Sequence, residues 1–330
     1  MIVMTHKAYA TCLRRALRVA AFALLFVQML HAPAITYTRQ DSIKVTTLLS
    51  EGLKQPKTTP LTLFYANKFI GLPYVAHTLE VNDTEQLVVN LRQLDCTTLI
   101  DNIVALTLTT QQGSTRFEDF CYWLQRLRYR DGKLTDYASR NHYYSQAIAS
   151  DERLGILHEI GSDASTSQSA QQSKSQKGQA TGREFPFTAT QVIDLHYMSQ
   201  HPEQYRMLKD APKTLKDRIR KHEQEFAGKI IRYIPTALLD KGREQLSCIH
   251  DGDILALVTS KDGLDVSHLG IAVWGKDGKL HLLNASSIHK KVVLETMTLA
   301  DYMRKQSHRL GIRVLRVNES TPHAKEKVRI

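Results

Sequence analysis

The spacing of apolar residues changes along this chain from a helical period to a strand period, and that change restricts the possible folds. Between Cys96 and Thr109 the apolar positions recur every three or four residues, as on one face of a helix. In the last third, segment 253–259 is almost continuously apolar, which is typical of a buried strand. Helices first and an antiparallel sheet second predict an α+β fold, with N-terminal helices packed on a C-terminal antiparallel sheet.

The same patterns predict the individual elements. Helices are expected at 41–58, 61–70, 96–109, 117–129 and 189–226, with 85–94 as a short alternating or helical piece. Strands are expected at 253–259, 269–274, 280–286, 292–294 and 312–317. Gly275-Lys276-Asp277-Gly278 is a strong hairpin signal between two of these strands.

Segment 161–182 consists largely of Ser, Gln, Lys, Gly, Ala and Thr and has hardly an apolar side chain. Such a composition is typical of a flexible low-complexity stretch. A linker between two domains would have the same composition. Because candidate catalytic residues lie on both sides of it, we interpret it as an insertion within a single domain spanning residues 35–330.

The N-terminus has the order of a secretory signal peptide. Arg14, Arg15 and Arg18 precede an apolar run at 19–30, and Ala32 and Ala34 then offer an A-x-A cleavage site. The apolar run is shorter than the roughly 20 residues that a membrane span needs. We therefore predict removal of residues 1–34, export to the periplasm or medium, and no stable membrane span after processing. An uncleaved anchor is the alternative.

Charge and cysteine content restrict the partners. The net charge of +11 suits an anionic partner such as cell wall, or simply a solvated basic surface. No arginine patch interleaved with aromatic residues is present, so nucleic acid is not expected. Cleavage would leave Cys96, Cys121 and Cys248, an odd number, so at least one thiol stays free, and a Cys121–Cys248 disulfide is possible. No Cys/His cluster has zinc-ligand spacing, and we expect no metal and no other cofactor.

Cys96 is the candidate nucleophile. It begins a predicted helix directly after Asp95, which can cap that helix. The free N–H groups and positive dipole of a helix N-terminus favour the thiolate, whereas the negative charge of Asp95 opposes it. A nearby histidine would therefore be needed to activate the thiol. A buried structural cysteine is the alternative interpretation.

His268 is the candidate base. It begins a strand in which His268, Gly270 and Ala272 share one face, so small residues would leave room beside the histidine. If the hairpin loop spans 274–278, Asn284 lies directly opposite His268, with Cβ atoms about 5 Å apart. The Asn284 amide oxygen would then fix the tautomer of the imidazole ring. His281 is a fallback for this role, although period-2 alternation places it on the other face.

Four stretches resemble, in their order, the NlpC-type papain-like cell-wall cysteine peptidases. They are Gly71-Leu72-Pro73-Tyr74, Leu94-Asp95-Cys96-Thr97-Thr98, Ser267-His268-Leu269-Gly270-Ile271 and Leu283-Asn284-Ala285-Ser286-Ser287. Within that superfamily the chain is most similar to the N-acetylmuramoyl-L-alanine amidase-like domain family, over roughly residues 50–320. Further stretches that resemble this family are Thr78-Leu79-Glu80, Leu264-Asp265-Val266-Ser267-His268, Arg128-Tyr129-Arg130-Asp131-Gly132 and Tyr137-Ala138-Ser139-Arg140-Asn141-His142-Tyr143.

This resemblance implies a papain-like fold with Cys96 as nucleophile and His268 as base. Asn284 occupies a position where many NlpC-type enzymes have a second histidine, and an asparagine there resembles papain-like enzymes instead. Tyr74 matches a pocket tyrosine of the superfamily. The full set that we assign to substrate binding is Tyr74, Asp95, Tyr137, Arg140, His142, Tyr143, Asp265 and Ser267.

The resemblance also implies the activity. We expect an exported cysteine amidohydrolase that cleaves an amide bond of peptidoglycan, or of a muropeptide, through a Cys96 thioester. The N-acetylmuramoyl-L-alanine bond is favoured, and a γ-D-glutamyl-diaminopimelate endopeptidase of the stem peptide is the alternative. A catalytically silent wall-binding module and an acyltransferase of the same fold are alternatives of other classes. The sequence leaves the oligomeric state open.

Overall fold

A computed structural model of the protein describes residues 35–161 and 185–319. The α-helices are α1 Arg39–Gly52, α2 Leu61–Phe69, α3 Cys96–Gln111, α4 Phe117–Arg128, α5 Tyr144–Arg153, α6 Tyr197–Gln200, α7 Arg206–Lys209, α8 Lys213–Gln224 and α9 Leu299–Arg304. The strands are β1 Ile35–Thr36, β2 Leu87–Val88, β3 Leu157–Ile160, β4 Ala189–Val192, β5 Ile230–Pro235, β6 Ile254–Thr259, β7 Val266–Trp274, β8 Leu280–Ser286, β9 Lys291–Leu294 and β10 Arg309–Val317.

The main sheet has eight strands, and its neighbours pair antiparallel in the order β4-β5-β10-β6-β7-β8-β9, while β3 pairs with β10. Strand β6 is buried along its whole length because both faces of the sheet are covered. Ile254 and Ala256 pack into the core that the sheet shares with α1–α4, whereas Leu255 and Leu257 pack with α9 on the opposite face. The predicted α+β class, with helices preceding an antiparallel sheet, is confirmed.

Helix α3 is enclosed by α1, α2, α4 and the β7–β8 hairpin. The sequence predicted one apolar face, but the helix is buried on nearly every side between Thr98 and Thr110. Threonines can occupy these buried positions because their hydroxyls donate back to helix carbonyls, as Thr107 does to Ile103 at 2.8 Å and Thr109 to Ala105 at 2.7 Å. The helix that begins with Cys96 is therefore held rigidly against the sheet.

The prediction of a helix over 189–226 was wrong at its start. Residues Ala189–Val192 form the edge strand β4, which pairs with β5, and only the later part folds into α6–α8. Half-buried and exposed residues alternate along β4, but the sequence Ala189-Thr190-Gln191-Val192 does not alternate between apolar and polar residues. The segment 85–94 contains the two-residue strand β2.

The register predicted for the β7–β8 hairpin was wrong by two residues. Trp274 pairs with Leu280 and Ile271 with Leu283, so the loop spans 275–279 and Asn284 faces Gly270 rather than His268. The space beside Gly270 is also not open, because a Cβ atom there would lie 2.5 Å from the Leu282 side chain. A shift of two residues keeps every side chain on its face, so His268 and Asn284 remain diagonal neighbours.

Residues 1–34 and 162–182, the predicted signal peptide and nearly all of the predicted insertion, lie outside the described residues. The strands before and after that insertion, β3 and β4, belong to the same sheet. Within 35–161 and 185–319, no helix is both long and apolar enough to cross a membrane. Cys96, Cys121 and Cys248 are all free thiols, so the possible Cys121–Cys248 disulfide does not form.

The side chain of Arg313 links strand β10 to strand β3 and helix α5. Its guanidinium, on β10, donates to both carboxylate oxygens of Glu159 on β3 at 2.5 and 2.8 Å, and to the hydroxyl of Ser145 on α5 at 2.7 Å. Only 3% of Arg313 is exposed. Breaking one partner of a buried ion pair leaves an uncompensated charge in the interior.

We expect Arg313→Ala to lower the free energy of unfolding by about 3 kcal/mol, because it removes the guanidinium that neutralises Glu159. Lys213→Ala is the matched control, since Lys213 forms an exposed ion pair with Asp217. This control should leave the urea midpoint nearly unchanged. Equal midpoint shifts for the two variants would contradict the role of Arg313.

Candidate active site

Asp95 and Thr98 fix the N-terminus of α3, and with it Cys96. The Asp95 carboxylate accepts from the Thr98 backbone N–H at 2.8 Å, and the Thr98 hydroxyl accepts from the Asp95 N–H at 2.9 Å, which completes a capping box. Cys96 is therefore the first helical residue, as predicted. Its side chain is partly exposed.

The pKa of the Cys96 thiol is raised to about 12, chiefly by burial and further by the negative charge of Asp95. Hydrogen bonds from the Leu269 backbone N–H and from Thr97 act in the opposite direction but do not compensate. Desolvation thus outweighs the stabilisation of the thiolate that was expected from the helix N-terminus. The Cys96 thiol is therefore neutral at pH 7.

His268 and Asn284 are joined by a hydrogen bond of 2.9 Å between Nε2 of the ring and Oδ1 of the amide. The carboxamide oxygen can only accept, so Nε2 carries the proton and Nδ1 is left as a proton acceptor. Burial lowers the pKa of His268, although Asn284 acts to raise it. The imidazole is therefore neutral at pH 7. The pairing of these two residues was predicted correctly even though their register was not.

Cys96 and His268 line one cavity of about 160 Å³ at the junction of α3, α5 and the start of β7. Five residues that the sequence assigned to substrate binding also line it, namely Arg140, His142, Tyr143, Asp265 and Ser267. Tyr74, Asp95 and Tyr137 are not among its lining residues. The structure thus brings together most of the predicted cluster around the candidate nucleophile.

A rigid polar network holds the Arg140 side of the cavity. The Arg140 guanidinium forms two hydrogen bonds with Glu85, at 3.0 and 2.7 Å, and lies over the Tyr137 ring. His142 contacts the Tyr137 carbonyl through Nε2 at 2.8 Å, and burial lowers the pKa of His142 to about 3. Its ring is therefore neutral and donates that hydrogen bond. Tyr137 supports this wall from behind, with its hydroxyl donated to Glu80 at 2.9 Å.

Several predicted substrate residues have structural partners as well. The Tyr143 hydroxyl donates to the buried Glu223 on α8 at 2.6 Å. Asp265 accepts from the Ser145 backbone N–H at 2.6 Å and so ties the start of β7 to the first turn of α5. The Ser267 hydroxyl donates to the Leu257 carbonyl on β6 at 3.4 Å.

Tyr74 lies near the candidate nucleophile without lining the cavity. Its backbone forms a bridge with Leu94, two residues before Cys96. The pKa of Tyr74 is raised by burial and then by the neighbouring negative charges of Cys96 and Asp95 when these are ionised. Its position is consistent with the rim of a substrate site.

The cavity wall also contains an ion pair that was not predicted from the sequence. Arg128 donates to Asp101 at 3.0 Å, and its guanidinium also donates to the Val88 carbonyl at 2.6 Å. Burial raises the pKa of Asp101, while Arg128 acts against that rise. The available signal was a lone carboxylate within the otherwise apolar and threonine-rich α3. Tyr144, which also lines the cavity, gave no signal in the sequence.

Among the residues that the structure describes, no group of three or more His, Cys, Asp or Glu side chains has the arrangement of a metal site. The side chains that line the cavity include the Cys96 thiol and the imidazoles of His142 and His268.

Comparisons with known proteins agree with this architecture. A family model described as N-acetylmuramoyl-L-alanine amidase-like (AmiA-like) matches residues 65–312, a range that includes Cys96, His268 and Asn284. No curated protein matches the sequence significantly.

Several solved structures are similar to this chain. The crystal structure of an N-acetylmuramoyl-L-alanine amidase from Bacteroides uniformis is 36% identical, with a TM-score of 0.66 over 81% of this chain and 99% of its own. A putative xylanase from Bacteroides fragilis is 39% identical, with a TM-score of 0.66 over 77% and 99%. A Legionella pneumophila protein is 21% identical, with a TM-score of 0.61 over 84% and 94%, and resembles it in fold alone. Since the family model spans most of the sequence, the chain belongs to the N-acetylmuramoyl-L-alanine amidase-like family.

Proposed function

We propose that this protein is a cysteine amidohydrolase that cleaves the N-acetylmuramoyl-L-alanine bond of peptidoglycan or of muropeptides. Cys96 is the nucleophile, His268 the general base and Asn284 the residue that orients the base. The observation that carries this proposal is the 2.9 Å bond from His268 Nε2 to Asn284, in a ring that lines the same cavity as the Cys96 thiol. The family membership and the amidase from Bacteroides uniformis support the substrate class.

The proposed reaction begins from a neutral thiol and a neutral imidazole. As the Cys96 sulfur attacks the amide carbonyl carbon, Nδ1 of His268 takes the thiol proton. The C–N bond then breaks, the imidazolium gives its proton to the leaving amine, and a Cys96 thioester remains. His268 next removes a proton from water, which attacks the thioester and releases a carboxylic acid and the free thiol. The net reaction consumes one water molecule.

The N-terminus of α3 supplies the electrostatic component of the proposal. The Thr98 N–H is bound by the Asp95 carboxylate, whereas the N–H groups of Cys96 and Thr97 have no partner within the helix and are the candidate donors to a group bound beside Cys96. An oxyanion that forms on the attacked carbonyl carbon would accept hydrogen bonds there and be stabilised by the helix dipole. Because α3 is enclosed by protein, these donors need no reorganisation during the reaction.

The proposal also includes the fold type of the protein and its export. The order of the Cys96, His268 and Asn284 segments supports a papain-like fold of the NlpC type. The basic, apolar and A-x-A order of residues 1–34 supports export, which would place the enzyme where peptidoglycan is found. N-terminal sequencing of exported protein would show whether the chain begins after Ala34.

Mass spectrometry of purified muropeptides after incubation with the protein tests the function. We expect release of free stem peptide beginning with L-alanine, and loss of this product in Cys96→Ala. Cys248→Ser, which removes another partly exposed thiol, should retain turnover. Cleavage after the γ-D-glutamyl residue would favour the endopeptidase alternative, and a transfer product would favour an acyltransferase. New reducing ends would indicate glycosidic cleavage, and binding without any cleavage would indicate a silent wall-binding module.

Asn284→Ala should lower kcat strongly, because His268 would lose the acceptor that fixes its tautomer. Replacement of the orienting group in the serine protease triad costs about 10⁴-fold, and we expect less for a neutral amide. His281→Ala is the matched control on the same strand, since the His281 ring contacts Asp277 and the Glu295 carbonyl instead of His268. If steady-state kinetics show that Asn284→Ala leaves kcat unchanged whereas His281→Ala lowers it strongly, the residue that orients His268 must be a different one.

The pH profile tests the neutral starting pair. Catalysis needs unprotonated His268, so kcat/KM should fall as pH drops through the pKa of His268, which burial places below its ordinary value of 6.5. The Cys96 pKa of about 12 predicts no loss of kcat/KM from thiol ionisation between pH ~7 and ~9. A fall in kcat/KM as the pH rises from ~7 to ~9, through a raised histidine pKa, would indicate a thiolate–imidazolium resting state instead.

A further inference from the structure

A buried carboxylate lies directly behind Asn284. Glu295 follows strand β9, and its backbone N–H donates to the Leu282 carbonyl on β8 at 2.9 Å. One of its carboxylate oxygens, Oε1, accepts from Nδ2 of Asn284 at 3.0 Å. Glu295 is only 3% exposed and Asn284 is fully buried, so water does not compete for this contact. The reaction described above makes no use of this carboxylate.

The carboxylate determines which way the Asn284 amide points. An asparagine side chain can rotate so that its oxygen and nitrogen exchange places, and each orientation offers His268 a different group. A carboxylate only accepts hydrogen bonds, so it selects the orientation in which the NH₂ group faces Glu295. The amide oxygen is then the atom that faces the ring of His268.

The amide orientation in turn determines the tautomer of His268. Because Oδ1 can only accept, it binds the ring when Nε2 carries the proton. Nδ1 then has a free lone pair with which to take the thiol proton. If the amide were reversed, its NH₂ group would favour an unprotonated Nε2, and the proton would move to Nδ1. That tautomer cannot accept a proton from Cys96 through Nδ1.

We propose that Glu295 is a positioning residue that holds His268 in its Nε2–H tautomer by fixing the orientation of the Asn284 amide. The role of His268 as base rests on the proposed function, whereas the effect of Glu295 on the tautomer does not. Glu295 is not among the residues that line the cavity, and its hydrogen bond toward the site is the one to Asn284.

The far side of Glu295 is held by a second histidine. Oε2 of Glu295 contacts Nε2 of His289 at 3.2 Å, and about half of the His289 side chain is exposed. A buried carboxylate needs such partners, because an unpaired charge in the interior is costly. The carboxylate thus has a partner on each oxygen, Asn284 on Oε1 and His289 on Oε2, and these two contacts restrict its rotation.

Two substitutions separate acceptor chemistry from shape. Glu295→Gln keeps the size of the side chain but can present either a donor or an acceptor to Asn284. Glu295→Asp is shorter but remains a pure acceptor. If the acceptor fixes the amide, the Asp variant should stay closer to wild type than the Gln variant. A purely structural role predicts the opposite order, because it depends on filling the same volume.

The first measurement is ¹⁵N NMR of histidine-labelled protein above the pKa of His268, with His268→Gln to assign the ring signals. We expect a single Nε2–H tautomer in wild type and a mixed population in Glu295→Gln. Glu159→Gln is the matched control, since it removes another carboxylate, a half-buried one that is paired with Arg313 and does not line the cavity. A wild-type Nδ1–H tautomer, or an unchanged tautomer in Glu295→Gln, would overturn the proposal.

The second measurement is a kinetic double-mutant cycle on muropeptides. Glu295→Gln should lower kcat by about ten- to a hundredfold, as expected for losing a hydrogen bond to a charged group, with little change in KM. In the Asn284→Ala background the same substitution should have almost no further effect on kcat, because the amide that Glu295 orients has been removed. Additive losses would show that Glu295 acts independently of Asn284 and would overturn the proposal.

The two measurements also separate this inference from the proposed function. If the wild-type protein does not cleave muropeptides, or if Cys96→Ala retains turnover, the proposed function fails. The tautomer measurement does not depend on a substrate, so it still decides the role of Glu295. If Glu295→Gln does not fold, the comparison of Glu295→Asp with wild type decides it, since the shorter carboxylate must keep the Nε2–H tautomer.

Discussion

The enclosure of helix α3 is the constraint on which the site depends. A helix that is buried on nearly every side cannot shift without disturbing the packing of its neighbours, and its capping box fixes where it begins. Cys96 is therefore presented at a defined point beside the start of β7. The Leu269 N–H, which comes directly after His268, reaches the Cys96 thiol from that strand. The proposed nucleophile and the proposed base are brought together by the packing of the helix on the sheet.

Charges in the cavity wall are compensated in pairs. Arg140 is bound by Glu85, and Arg128 by Asp101, so neither guanidinium is a free cation beside Cys96. This explains why burial dominates at the reacting groups, raising the pKa of the thiol and lowering that of the imidazole. A site with neutral partners avoids the cost of keeping an ion pair desolvated before substrate binds. The same pairs make the wall rigid, which suits a preformed binding site.

The sequence was sufficient for those features that depend on local pattern. The helix beginning at Cys96, the β7–β8 hairpin and the capping role of Asp95 all follow from residues close together in the chain. The hairpin register failed because five-residue loops at 274–278 and 275–279 fit the same glycine-rich turn. The error did not affect the predicted partner of His268, since a slip of two residues preserves the face of a strand. A slip of one residue would have moved Asn284 to the other side.

Contacts between distant segments could not be predicted in this way. Arg128 and Asp101 meet because α4 packs on α3. The sequence around either residue gives no indication that the other is its partner. The edge strand β4 was interpreted as helix because it has only four residues, and their polarity does not follow the period of a strand. Glu295 gave no signal at all, since its importance arises only after β8 and β9 pair.

Glu295, which lies behind Asn284, gives a physical reason for an asparagine at this position. A carboxylate in direct contact with His268 would favour the charged imidazolium, whereas the interposed amide keeps the negative charge of Glu295 one side chain away from the ring. Glu295 and Asn284 both act to raise the pKa of His268, but burial outweighs them and the pKa is lowered. The amide thus transmits the orientation that the carboxylate imposes and transmits little of its charge. A base that must be neutral before it takes a proton from an equally neutral thiol requires this combination of fixed geometry and weak electrostatic coupling.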